Sequence, residues 1–231
     1  MKKLGILGGI SAASTIDYYR KITELYYDKF HNYYYPEITI ESLDFQYFTD
    51  LEDTNNMPEY KDYIIQGIRN LESAKCDVII MSANSPHSVY DDVMPYAKVP
   101  MISIVEAVGR KAQDMGLKKI LLTGIKYTMQ STFYRDGLKK YGIEVISPSE
   151  SDQDLINQII FGELVINIIT KESQQLYLDI VDKYIASDQI EGVIMGCTEI
   201  PSLAANLDAP VPFLNSLQLH CEKTLDFLIE D

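Results

Sequence analysis

Two stretches decide how the chain is read: Cys76-Asp77-Val78-Ile79-Ile80-Met81-Ser82-Ala83-Asn84 and Ile190-Glu191-Gly192-Val193-Ile194-Met195-Gly196-Cys197-Thr198. Each is a short apolar run that breaks into small polar residues, the pattern of a buried strand ending in a loop. They lie 114 residues apart, and other features repeat at nearly that offset and in the same order. Leu4 to Gly8 matches Ile120 to Gly124, Tyr19-Arg20 matches Tyr134-Arg135, and Val99-Pro100 matches Val211-Pro212. Resemblance between any two α/β segments would explain one such match. Four in register point to two similar lobes.

Further apolar runs predict strands at Leu4 to Leu7, Ile38 to Leu43, Val78 to Met81, Met101 to Ile104, Ile120 to Leu122, Glu144 to Ile146, Val193 to Met195 and Val211 to Leu214. Helix-length segments separate them, among them Ser14 to His31 with Ser14 or Thr15 as N-cap, which implies parallel β/α units. The expected fold is α/β: two lobes, each a mostly parallel sheet flanked by helices, with the site in a cleft between them. The expected lobes are 1–98 with 211–231, and 99–210. Ligand sites in open parallel sheets form at the carboxyl ends of the strands.

The 231 residues carry 34 Asp and Glu against 20 Lys and Arg, a net charge of −14. Such a field repels phosphate, so neither nucleic acid nor an anionic membrane is an expected partner. The tyrosines at 33, 34 and 35 therefore make no base-stacking platform. Met1-Lys2-Lys3 and the apolar residues after it are broken by glycine and soon reach Asp17, unlike a signal peptide, and no run is long enough for a membrane span. Cys76, Cys197 and Cys221 lack paired spacing, so neither a disulfide framework nor a metal site is expected, and a reducing cytoplasm fits.

Candidate chemistry sits where strands end. Gly5, Gly8 and Gly9 form a turn before the first helix, suited either to a small anion or to tight packing alone; the spacing is not that of a dinucleotide loop. Cys197 follows a strand and precedes Thr198 and Glu199, where a helix N-terminus would favour its thiolate. The matching loop, Ser82 to His87, offers Asn84 and Ser85 as donors, with Pro86 starting the next turn. His87 and His220 read as structural, and Asp50, Glu52 and Asp53 as a solvated acidic loop.

These motifs resemble the cofactor-independent aspartate/glutamate racemases. The opening Gly5 to Ser11 with Ser14-Thr15 and Tyr18-Tyr19-Arg20, then Asn84-Ser85-Pro86-His87, Tyr127-Thr128-Met129 with Phe133-Tyr134, Asn157 to Phe161 and Gly196 to Glu199 are similar to that family's signatures across the whole chain. The resemblance implies a homodimeric isomerase that needs neither pyridoxal phosphate nor metal. It implies a small amino acid, aspartate or glutamate, as substrate, with one thiolate removing the α-proton and a thiol on the other lobe returning a proton to the opposite face. The substrate-holding positions would be Ile10, Asn84, Ser85, Pro86, Thr128, Thr198 and Glu199, the last through its backbone N–H. Cys197 would be one catalytic thiol.

The other is missing. Ala83 stands where the family places a cysteine or threonine, opposite Cys197 in the internal repeat, and alanine transfers no proton. Ser82 does not replace it, because neighbouring strand-end residues point to different sides. Asn215 also stands where an aspartate is expected, and Ile125 where a threonine often occurs. Three readings follow: a racemase in which Ala83 is an engineered, inactivating replacement, preferred because the rest of the loop is intact; a one-cysteine enzyme similar to the arylmalonate decarboxylases; or a non-catalytic binder of a dicarboxylic amino acid. No cation for the side-chain carboxylate is assignable among Lys126, Arg20 and Arg135.

Overall fold

The computed structural model describes residues 1–205 and 207–230; positions 206 and 231, which fall in the two expected lobes, lie outside it. The chain divides into two compact units, Met1–Ile104 with His220–Asp231, and Val105–Leu219.

The first unit runs β1 (Leu4–Gly8), α1 (Ala12–Phe30), β2 (Ile38–Ser42), α2 (Phe45–Asp53), α3 (Met57–Ser73) and β3 (Val78–Met81). A 3₁₀ turn (Ser85–Val89) and α4 (Tyr90–Val93) follow. Its sheet has the order β2-β1-β3, and both pairings are parallel. β1 and β3 are buried along their whole length, which is why they read as unbroken apolar runs. Ser14, Thr15, Tyr18, Ile22 and Tyr26 form the buried stripe of α1, at helical spacing. The N-cap is Ser11, whose hydroxyl accepts from Ser14 N, not Ser14 or Thr15. These two lie one turn further in and turn their side chains inward.

The second unit runs α5 (Ile104–Asp114), β4 (Lys119–Thr123), α6 (Lys126–Gln130), α7 (Phe133–Lys139), β5 (Glu144–Ile146) and α8 (Glu150–Gly162). It continues with α9 (Lys171–Asp188), β6 (Gly192–Met195), α10 (Ile200–Ala204) and β7 (Phe213–Asn215), and α11 (Ser216–Ile229) leads back into the first unit. Its sheet order is β5-β4-β6-β7, again wholly parallel. Each unit has its own core, one around Leu7, Phe48, Tyr60, Ile64 and Ile79, the other around Leu121, Ile156, Tyr177, Val181 and Val193.

Three expectations change. The lobe boundaries move from 98/99 and 210/211 to 104/105 and 219/220. Met101 bridges to Ile79 of the first sheet, whereas Phe213–Asn215 hydrogen-bonds to β6 of the second. The strand expected at Met101 to Ile104 is only that single bridge, since Ile104 already opens α5. Asp50, Glu52 and Asp53 sit on α2, not in a loop, because Phe48 and Leu51 between them bury one face of that helix.

Candidate functional site

All expected site residues of the first unit follow the carboxyl ends of β1 and β3. Gly9 has φ +80°, and a Cβ there would meet the Leu43 carbonyl oxygen at 2.2 Å. A Cβ on Gly8 would meet Thr15 Cγ2 at 2.5 Å. The Gly9 amide already donates to Thr15 Oγ1 at 2.9 Å. Close packing thus accounts for this glycine turn, and its Gly9 N–H is committed within the protein. The Ile10 side chain is buried in the core, so only its backbone is left for a ligand.

Ala83 is half-buried, and Asn84, Ser85, Pro86 and His87 are buried. Ser82 turns inward: its Oγ lies 3.3 Å from Leu7 O and from Thr15 Oγ1, and Ser14 Oγ donates to its carbonyl. His87 fixes the turn from behind. Its Nδ1 donates to Ala83 O at 2.9 Å, while Nε2 accepts Ile104 N at 3.2 Å, which assigns the tautomer. Burial, then the neighbouring His220, holds His87 far below the usual histidine range, so it is neutral. His220 is likewise neutral, lowered by burial to about 4; its Nδ1 accepts from Tyr18 OH at 2.8 Å and its Nε2 donates to Ile102 O at 2.9 Å. Both histidines are structural, as the sequence suggests.

In the second unit Thr128, Cys197 and Thr198 follow the carboxyl ends of β4 and β6. Thr128 is 1% exposed and its Oγ1 has no hydrogen-bond partner among the described residues, an uncommon state for a buried hydroxyl. It packs against the backbone of the Cys197 loop: a Cβ on Gly196 would lie 3.4 Å from Thr128 Cγ2. The segment Asn157 to Phe161 matters through Asn157, whose Oδ1 accepts Lys126 N at 2.9 Å and secures the start of the helix bearing Thr128.

Cys197 is half-buried, and its thiol donates to Glu199 Oε2 at 2.9 Å. The same oxygen accepts from Thr198 Oγ1 at 2.8 Å. Burial of the sulfur, then the adjacent carboxylate, pushes the thiol well above the usual cysteine range, against the pull of the Thr198 and Glu199 backbone N–H groups. This reverses the expectation of a favoured thiolate. The following helix, α10, is only five residues long, and the Glu199 charge opposes it. Glu199 acts here through its side chain, which spacing alone does not reveal.

Glu52 is the residue that sequence reasoning misplaced. From α2 its Oε1 accepts Tyr60 OH at 2.7 Å, and the Ser85 side chain also donates to the carboxylate. Nothing in the sequence signals this contact, which depends on how α2 packs on α3. The three cations considered for a substrate carboxylate are engaged elsewhere: Arg20 with Asp17 and Glu24, Lys126 with Asp154 and Glu150, and Arg135 with Ser147. Cys76 and Cys221 are buried free thiols, as expected. An open groove lined by Met1, Lys2, Tyr26, Phe30 and Asp77 lies at the amino end of β1, the opposite end from the loops that follow β1 and β3.

Residues 7–224 match the family model described as Asp/Glu/Hydantoin racemase. The broad specificity amino-acid racemase RacX of Bacillus subtilis is 27% identical over 220 residues, covering 92% of each chain. A protein of Yersinia pestis described as a candidate Asp/Glu racemase superposes with a TM-score of 0.92 at 32% identity, over 100% of both chains. An aspartate racemase homologue of Pyrococcus horikoshii superposes at 0.90 with 36% identity, also over 100% of both. The match over nearly the whole chain shows that it belongs to the Asp/Glu/Hydantoin racemase family.

Proposed function

We propose that the protein transfers a proton at the α-carbon of a free amino acid, with Cys197 as its acid–base group and without a cofactor. The observation that carries this reading is the Cys197 thiol seated on Glu199 at a strand's carboxyl end, in the same unit as Thr128, whose buried hydroxyl has no hydrogen-bond partner among the described residues. An α-carbon is a weak acid, so the carbanion needs donors on the substrate carboxylate. Thr128, Asn84, Ser85 and the backbone N–H groups of the 196–199 turn are suited to that task. Aspartate and glutamate are the first substrates to try, and the broad-specificity relative is reason to widen the panel to other amino acids.

Ala83 decides what the chain does as it stands. Racemisation by two groups needs a proton carrier on each side of the substrate. With alanine at 83, Cys197 exchanges the α-proton on one side only and configuration is retained. The test is deuterium wash-in at the α-carbon, followed by NMR together with optical rotation. Wild type is expected to exchange one enantiomer without racemising it, and Ala83→Cys to racemise. If Ala83→Cys neither exchanges nor racemises any amino acid of the panel, the reading fails.

A second reading has its own support. A thiol that rests protonated is prepared to donate, as an enzyme needs when it protonates the carbanion left by loss of carbon dioxide from a substituted malonate. Carbon dioxide release that disappears in Cys197→Ala would establish it. A pure binder of dicarboxylic amino acids would bind tightly whatever the state of Cys197, and alkylation that abolishes binding or exchange would reject it. Three free thiols agree with a reducing cytoplasm, and no helix among the described residues is long and apolar enough to cross a membrane. A homodimer belongs to the proposal through the family likeness, and sedimentation would test it.

A further inference from the structure

Glu52 is a carboxylate held by hydroxyls. It is half-buried on α2, and its identified partners are two hydroxyls, those of Tyr60 and Ser85. The neighbouring charge that acts on it, that of Asp53, has the same sign. Among the described residues no lysine or arginine forms a salt bridge with it. Withdrawing a carboxylate from water is costly unless a cation compensates, and two neutral donors do so only in part. Burial accordingly raises its carboxyl above the ordinary value, while both hydroxyls pull it down.

The place of this uncompensated charge gives it meaning. Ser85, which touches it, lies in the loop after Ala83 at the carboxyl end of β3. We propose that Glu52 is the counter-charge for a primary ammonium group of the substrate, received beside Ser85. The inference rests on the amino-acid reading above and deepens it. The ammonium is either the one on the α-carbon or one at the end of a basic side chain. Both sources share the chemistry of a compact cation with three N–H donors, which a carboxylate flanked by hydroxyls accepts. A carboxylate beside Ser85 attracts the ammonium of a basic side chain and repels a second carboxylate, so neutral and basic amino acids fit it better than aspartate or glutamate.

Calorimetric titration of the full chain tests this without requiring turnover. The ligands are alanine and lysine in both configurations, L-aspartate, propionate as alanine lacking its amine, and methylmalonate. In wild type, alanine or lysine is expected to bind at least tenfold more tightly than propionate. In Glu52→Gln that advantage is expected to vanish: for both amino acids if the α-ammonium is held, for lysine alone if the side-chain ammonium is held. A melting curve shows whether Glu52→Gln is folded, and the comparison of alanine and lysine with propionate stands on wild type alone. Amino acids that bind wild type no better than propionate, or bind Glu52→Gln as well as wild type, overturn the inference and leave the amino-acid reading intact. If methylmalonate binds wild type and no amino acid does, both fall.

Discussion

In the first unit the amide of Ser82 donates to Leu7 O at 2.9 Å; at the matching place in the second, Gly196 N donates to Thr123 O at 2.7 Å. Ile79 N donates to Pro100 O, as Val193 N does to Pro212 O, each at 3.0 Å. Asp77 N reaches Lys3 O, as Glu191 N reaches Lys119 O, at 2.8 and 2.7 Å. These bonds recur at matching places in the two sheets, although the second has a fourth strand where the first has a single bridge. They part company at the strand ends. The first loop is clamped from behind by Ser14, Thr15 and His87 and presents Ala83, whereas the second presents a thiol on a carboxylate. The scaffold is duplicated and the proton carrier is not.

The largest effect should come from making the units equal in the other direction. Cys197→Ala removes the thiol that follows the carboxyl end of β6, and α-deuterium exchange is expected to fall at least a thousandfold, about 4 kcal/mol of barrier. The double variant Ala83→Cys with Cys197→Ala should exchange the enantiomer that wild type leaves alone. If it exchanges the same enantiomer, or Cys197→Ala keeps its activity, the assignment of the two loops to opposite sides of the chemistry is wrong.

A backbone difference comes next. Gly9 and Ile125 occupy matching places after β1 and β4, yet Gly9 has φ +80° and Ile125 φ −66°. Gly9→Ala adds positive-φ strain and a clash with the Leu43 backbone, so a loss on the order of 3 kcal/mol is expected in denaturant titration. Ile125→Ala should cost less, since that side chain is only partly buried. The reverse order would show that the first turn relaxes freely and that Gly9 serves something other than packing.

The duplication was legible because each buried strand is a continuous apolar run, and the polar residues that end it keep their place in the repeat. The sheet to which residues 211–214 belong was not. Val211-Pro212 matches Val99-Pro100, and the repeat does not say where the chain crosses between units. The helix at 45–53 was hidden by its acidic residues, since only Phe48 and Leu51 mark its buried face. Cys197 was legible from its place after a strand. The Glu199 side chain on its sulfur was not, because a side chain's direction within a turn has no sequence period. The tie from Tyr18 through His220 to Ile102 joins residues far apart in the chain, beyond the reach of local pattern.

That tie predicts unequal acid sensitivity. All three histidines, His31, His87 and His220, lie in the first unit. His87 and His220 have folded-state pKa values below the ordinary 6.5, so below that pH the unfolded chain takes up protons that the folded chain refuses. Their contribution is intact above about pH 6.5 and is lost as pH falls toward about 4, on the order of 3 kcal/mol for His220 alone. In the second unit burial works against the charge of Asp152, yet Lys183, Ser149 and Tyr184 hold its carboxyl below 3.8, so its loss begins at lower pH. Hydrogen exchange at pH 5 should therefore show the first unit loosening before the second. Equal loosening would remove the histidines from the explanation.

A smaller effect separates the thiols. Glu199→Gln removes the charge that disfavours the Cys197 thiolate, and alkylation by iodoacetamide at pH 7 is expected to quicken roughly tenfold, equivalent to about 1.4 kcal/mol. Cys76 and Cys221, buried in the first unit, should stay unreactive in both proteins. An unchanged or slower rate at Cys197 would mean that burial alone sets its protonation.

The smallest effect concerns Asn215, which stands where an aspartate is expected. Its Oδ1 accepts Gln218 N at 3.1 Å and caps the first turn of α11. That task needs an oxygen and not a charge, so asparagine does it as well as aspartate. Asn215→Asp keeps the acceptor and adds a negative charge at a helix N-terminus, which predicts a gain of no more than about 0.5 kcal/mol, seen as a small rise in Tm. The same variant should leave α-exchange and the alkylation rate of Cys197 unchanged. A severalfold change in either would show that the residue at 215 acts on the thiol loop as well as on the helix, and that the departure from the family pattern extends past Ala83.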